Sequence, residues 1–143
     1  MKKLALVVLI ISFIPLFVFG QNYGNEPYLP VTNWKIVNHE KSKEVNFLNL
    51  LNDYKLVIIS KNTNIKELEN TGLNGAALGY LLEHQNLIPT EWRNKIIVFT
   101  GTLYEESGKD LLYLNLYYFD NEWTWSKTYA SDMLGDSFQI VKK

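Results

Sequence analysis

Apolar and polar positions alternate most regularly between residues 95 and 130, KIIVFTGTLYEESGKDLLYLNLYYFDNEWTWSKTYA. Side chains of a strand point alternately to the two faces of a sheet, so this stretch predicts three antiparallel strands joined by two tight turns. A first turn at Glu106-Ser107-Gly108-Lys109 pairs Tyr104 with Leu111 and sets Ile97, Phe99, Gly101 and Leu103 on the face of Leu112, Leu114, Leu116 and Tyr118. That face has the composition of a core. Two registers compete at the second turn. A two-residue Asp120-Asn121 loop pairs Tyr118 with Trp123, joins Trp125 and Tyr129 to the leucines, and turns Thr124, Ser126 and Thr128 outward. A three-residue loop that also takes in Glu122 flips every side chain of the last strand and builds an aromatic platform opposite the leucines. The first register keeps apolar and polar residues apart on both faces, and patterning prefers it.

Upstream, Val31–Val37 is rich in β-formers and predicts a first strand. Val45, Phe47, Leu48, Leu50, Leu51 and Tyr54 recur at three- and four-residue spacings, predicting a helix over 42–54 with Ser42 as N-cap. Leu56–Ile59 is a short β-branched block, the pattern of a strand covered on both faces. NTNIKELENTG suits a short helical turn stopped by Gly72. Residues 74–86 predict a second helix ended by Pro89, with Gly75, Ala76 and Gly79 allowing close approach to the sheet. One turn at TEWRN precedes the meander, Met133–Asp136 reads as a turn, and Ser137–Val141 predicts a final edge strand followed by two lysines. The expected fold is α+β: an antiparallel sheet of about four to six strands, with its C-terminal meander (95–130) covered on one face by the two helices.

The N-terminus changes the domain picture. Met1-Lys2-Lys3 is a basic start, Leu4–Phe19 is almost wholly apolar, and Gly20 precedes Gln21. This is the order of a signal peptide over 1–20, resembling those of bacterial exported proteins. An uncleaved anchor is the alternative, although the run is short for a span, which needs about 20 residues. A single domain over 21–143 follows, with 21–30 as a loose leader rich in Pro and Gly. Removing 1–20 takes away two lysines and no acids, leaving 12 basic and 15 acidic side chains, a net of −3. That balance argues against nucleic acid, which is bound through clustered positive charge. With no basic amphipathic helix, no membrane contact is expected after signal removal. The chain has no cysteine, which excludes disulfides, a lipidated N-terminal Cys and thiol chemistry. The expected location is the periplasm or the exterior.

Candidate chemistry is sparse. The two histidines, His39 and His84, each adjoin an acid, but neighbouring residues diverge, and no HExxH spacing occurs, so neither a metal nor a cofactor is expected. Glu105, Glu106 and Asp110 gather near a hairpin tip, as the carboxylates of a small secreted hydrolase would. Exposed turn acids are more often solubilising. The glycines of 72–79 lack the dinucleotide-binding spacing, and no nucleophile elbow appears. The expected function is a non-enzymatic binding or interaction module with a protein or carbohydrate partner. The hydrolase, or an inhibitor or immunity-type protein, is the alternative. The expected contact surface is Tyr104, Tyr113, Tyr117 and Phe119 with Thr102 and Asn115, where rings mix with small polar groups on the face away from the leucines.

Overall fold

A computed structural model describes residues 26–40, 45, 47–59, 63, 67, 71–131 and 137–142. The expected signal peptide over 1–20, Ser42, most of the expected turn before Gly72 and the expected Met133–Asp136 turn lie outside the described residues. The architecture is α+β. Its elements are β1 (Lys35–His39), α1 (Leu50–Asp53), β2 (Tyr54–Ile58), α2 (Gly75–Glu83), β3 (Ile97–Glu106), β4 (Asp110–Phe119), β5 (Glu122–Tyr129) and β6 (Phe138–Lys142). Short 3-10 turns at Phe47–Asn49, Gln85–Leu87 and Thr90–Trp92 connect them. Six strands form one sheet in the order β2-β6-β3-β4-β5, with β1 pairing the second half of β3. The pairing is antiparallel except for a short parallel contact of β6 with β3 at Ile97 and Val98.

The meander forms as its pattern demands, and the second turn is the two-residue one. Phe119 pairs with Glu122 and Tyr118 with Trp123. Asp120 and Asn121 both adopt positive φ, 48° and 66°, the conformation that two-residue hairpins need and that Asn and Asp tolerate. Trp123 is therefore buried among the leucines, and Trp125 is half-buried against the same core.

The first hairpin departs from expectation. Its loop is Ser107-Gly108-Lys109, flanked by the pair Glu106–Asp110, so Tyr104 lies opposite Leu112 rather than Leu111. Farther along, Ile97 and Phe99 pair with Leu116 and Leu114 in place of the Tyr118 and Leu116 that the expected register gives them, a shift of two that keeps them on the expected face. Between the two registers, four residues of β3 (100–103) face a single residue of β4, an extended bulge. Two side chains exchange faces. Tyr104 enters the main core with Leu112 and Leu114, whereas Leu103 joins Ile59, Val98 and Tyr113 on the reverse side.

Contacts from distant segments hold the bulge. Gly101 N–H donates to the Leu73 carbonyl (3.1 Å), Glu40 N–H to the Gly101 carbonyl (2.8 Å), and Leu73 N–H to the Ile140 carbonyl (3.2 Å). Gly75 N–H donates to Thr102 Oγ1 (2.8 Å), and the Thr102 hydroxyl lies 2.7 Å from His39 Nδ1. Residues 73–75 thus fill the gap along β3 between β6 and β1. They also start α2, whose N-cap Asn74 accepts from Ala77 N–H (3.0 Å) and donates through Nδ2 to the Glu40 carbonyl (2.8 Å). Gly75 is required here, because a Cβ would sit 2.0 Å from Tyr104 Oη.

Four other expectations are corrected. The described part of 42–54 is a 3-10 turn and a single helical turn, because strand pairing with β6 claims the chain from Tyr54 onward. β2 lies at the sheet margin and leaves Ile58 64 % exposed, so it is not covered on both faces. The C-terminal strand is no edge: β6 runs between β2 and β3. The first strand forms later than expected, at Lys35–His39. Ala77, Leu78 and Leu81 of α2, with Phe47 and Leu50, share one cluster with the meander leucines.

Candidate binding face

Along β4 the odd-numbered residues Tyr113, Asn115, Tyr117 and Phe119 point away from the leucine core, opposite Thr128, Ser126, Thr124 and Glu122 of β5. Exposure rises toward the turn. Tyr113 and Asn115 are buried, Tyr117 is half-buried, and Phe119 is 66 % exposed. The Tyr117 and Phe119 rings lie 6.5 Å apart, tilted by 47°. Beside them Thr124, Ser126 and Thr128 form a half-buried row of hydroxyls. Asn115 Nδ2 ties that row to the sheet, donating to Ser126 Oγ (3.2 Å) and Thr128 Oγ1 (2.6 Å). Among the paired residues of this face between Tyr113 and the turn there is no Lys or Arg, and Glu122 beside Phe119 is the one acid.

The six expected contact residues therefore separate. Tyr117 and Phe119 retain access, and Tyr113 and Asn115 lie behind them on the same face. Tyr104 and Thr102 do not belong to it. Tyr104 points into the core, where its hydroxyl donates to the Tyr28 carbonyl (2.8 Å) and burial raises its pKa above the ordinary phenol value. Thr102 is buried against Gly75 and His39. The hydroxyls of Thr124, Ser126 and Thr128 were legible from the two-residue turn, which alone fixes their direction.

Of the acids near the first hairpin, Glu106 and Asp110 share a face as cross-strand partners, and Glu105 does not join them. Glu105 and Glu106 are successive strand residues and project to opposite faces. Glu105 lies 3.9 Å from Lys35. Glu106 is fully engaged on the core side: Oε2 accepts from Lys127 Nζ (2.6 Å) and Tyr129 Oη (2.5 Å), and Oε1 accepts from Trp34 Nε1 (3.1 Å). Lys127, then Tyr129, hold its carboxyl below the ordinary carboxylate range, and Glu106 in turn raises the Lys127 ammonium. A carboxyl held ionised in this way is a poor proton donor. Trp34 also meets Trp125 edge-on at 6.1 Å, and the Lys127 ammonium lies 4.8 Å from the Tyr129 ring centroid. No local signal marks this cluster, since Trp34 and Glu106 are 72 residues apart.

Elsewhere, Leu48, Leu51, Leu87 and Pro89 with Asn52 and Asn86 line an open groove of about 420 Å³. Among the described residues no three of His, Asp and Glu come together as a metal site would require. None of the described helices is long and apolar enough to cross a membrane. Comparison with protein-family models, curated proteins and solved structures finds no match.

Proposed function

We propose that the protein is an exported, non-enzymatic binding domain whose contact face is the reverse side of the β4–β5 hairpin. One observation carries the reading: Tyr117 and Phe119 stand on the outer side of a well-packed sheet beside the hydroxyls of Thr124, Ser126 and Thr128. Holding a large ring in water beside ordered hydroxyls favours a ligand with an apolar surface and a hydroxylated rim. A neutral carbohydrate chain has both, and the lack of Lys or Arg among the paired residues of this face between Tyr113 and the turn disfavours an acidic ligand. The basic, apolar and small-residue order of residues 1–20 supports export.

The test is a glycan array followed by calorimetric titration of the best oligosaccharide. Phe119→Ala and Tyr117→Ala are expected to weaken binding by about tenfold or more, equivalent to about 1.4 kcal/mol, with unchanged circular dichroism. Binding that survives both substitutions, or an array without a hit, contradicts the reading. Capture of a protein through the same two rings would move it to the interaction-module alternative.

A further inference from the structure

The outer edge of β5 has a polarity that can be read from three hydrogen bonds. Trp123 N–H donates to Gln85 Oε1 (3.0 Å), and Gln85 Nε2 donates to the Trp123 carbonyl (2.9 Å). The Gln85 carboxamide therefore makes, at Trp123, both bonds of a neighbouring strand, on the side away from β4. Ala130 N–H donates inward, to the Leu111 carbonyl of β4 (2.7 Å). The β4–β5 register runs without interruption from Leu112–Tyr129 to Phe119–Glu122. Backbone direction alternates along a strand, so Trp125, Lys127 and Tyr129 also present N–H and C=O outward. Among the described residues no strand lies beyond β5. The open stretch is five residues, about 17 Å at about 3.4 Å per residue, bounded by the Gln85 clamp at one end and by the end of the strand at the other.

We propose that this edge pairs antiparallel with the same edge of a second copy of this chain, about a two-fold axis at Lys127. That register sets Trp125 opposite Tyr129 of the partner copy and Lys127 opposite its equivalent, so that all outward groups from 125 to 129 are paired. A two-fold axis normal to the sheet continues each face into the same face of the partner. On the core side it makes two aromatic pairs. On the reverse side it sets Ser126 opposite Thr128, hydroxyl against hydroxyl, twice; both pairings favour neighbouring strands. Gln85 fits this register and no closer one, because the residue opposite Trp123 is Ser131, which lies past the strand end.

The central lysines are the objection, since a lysine on an edge normally blocks pairing. Here the ammonium is already neutralised by Glu106 Oε2 at 2.6 Å. The ammonium is drawn inward to Glu106 of β3, so the axis brings together two neutralised lysines rather than two bare charges. This inference is independent of the ligand on the reverse face, and it extends the hydroxyl row of that face across the junction.

Sedimentation of the purified protein from micromolar to millimolar concentration tests it. A concentration-dependent dimer is expected, with slower hydrogen exchange at the Trp125, Lys127 and Tyr129 amides as the dimer fills. Lys127→Pro removes the central outward N–H, whereas Lys127→Ala removes only the side chain. The proline variant should therefore dimerise at least about tenfold more weakly than the alanine variant. Glu106→Gln should weaken the dimer by leaving the lysines uncompensated. A monomer at every concentration, equal dimerisation of the proline and alanine variants, or exchange at the three amides that ignores concentration would overturn the proposal.

Discussion

The two hairpins of the meander share β4, yet their registers are set by different forces. At the β4–β5 turn, two residues that tolerate positive φ close a regular ladder, and alternation carries every side chain to its predicted face. At the β3–β4 turn the ladder starts one residue away from expectation, and past the bulge it is two residues away, which returns Ile97 and Phe99 to their expected face opposite other partners. The start is set at the turn, where Ser107 and Gly108 adopt positive φ, 55° and 75°, and close a three-residue loop; the bulge beyond it has distant causes. Gly101, Thr102 and their neighbours are bonded to Leu73, Gly75, His39 and Glu40, and those contacts fix the backbone between Phe99 and Tyr104. A register written in turn chemistry is local. A register written in tertiary contacts is not, and here the second kind decides how the ladder passes from Tyr104–Leu112 to Phe99–Leu114.

The largest expected effect comes from breaking the bulge at its tightest contact. Gly75→Ala drives a Cβ into Tyr104 Oη, and urea denaturation should show a loss of roughly 3 kcal/mol, the upper range for overpacking. Because the phenolic oxygen is the atom met first, Tyr104→Phe in the same chain should recover part of that loss. Strict additivity of the two substitutions would show that the contact is not the cause. Next in size is Thr102→Val, which leaves the Gly75 N–H without its acceptor. A loss of about 2 kcal/mol is expected, and an unchanged denaturation midpoint would remove Thr102 from the account.

A smaller effect is expected at Glu106. Its partners are gained on folding and lower its pKa, so the unfolded chain takes up the proton more readily. The stabilisation is complete above the ordinary carboxylate value of about 4.3 and fades as the pH falls below it. Thermal melts of Glu106→Gln should therefore lose less stability on acidification than the parent; identical slopes would place the carboxyl outside the cluster. Smallest is Asn121→Gly in the regular hairpin, where relief of a left-handed residue should change stability by at most about 1 kcal/mol and leave the meander's amide shifts in place.

These differences explain how much of the molecule was legible. Alternation identified the meander, and Asp120-Asn121 supplied the chemistry that put Trp123 and Trp125 on the core side. The helix over 74–86 followed from its apolar residues and Pro89, and it forms as α2 from Gly75 to Glu83. The 42–54 pattern misled because an apolar helical stripe runs into Tyr54-Lys55-Leu56, where pairing with β6 overrides local propensity. The insertion of β6 beside β3 is likewise long-range. Of the candidate face, Tyr117 and Phe119 were readable from parity alone. Tyr104 was not, because its direction turns on a three-residue loop with Ser107 at positive φ, and Thr102 was not, because its partners are nearly 30 and more than 60 positions away.

The bulge is most directly tested by cross-strand contacts in a nuclear Overhauser spectrum. Non-hydrogen-bonded antiparallel pairs bring their Cα atoms to about 4.5 Å, so their α-protons give strong cross-peaks. Tyr118–Trp123 is such a pair, and alternation along β4 makes Val98–Asn115 and Glu105–Leu111 such pairs as well. The account predicts both of the latter peaks in one spectrum, seven residues of β3 spanned by four of β4. A Tyr104–Leu111 peak in place of Glu105–Leu111 would mean a different register, and would return Tyr104 to the reverse face beside Tyr113 and Tyr117.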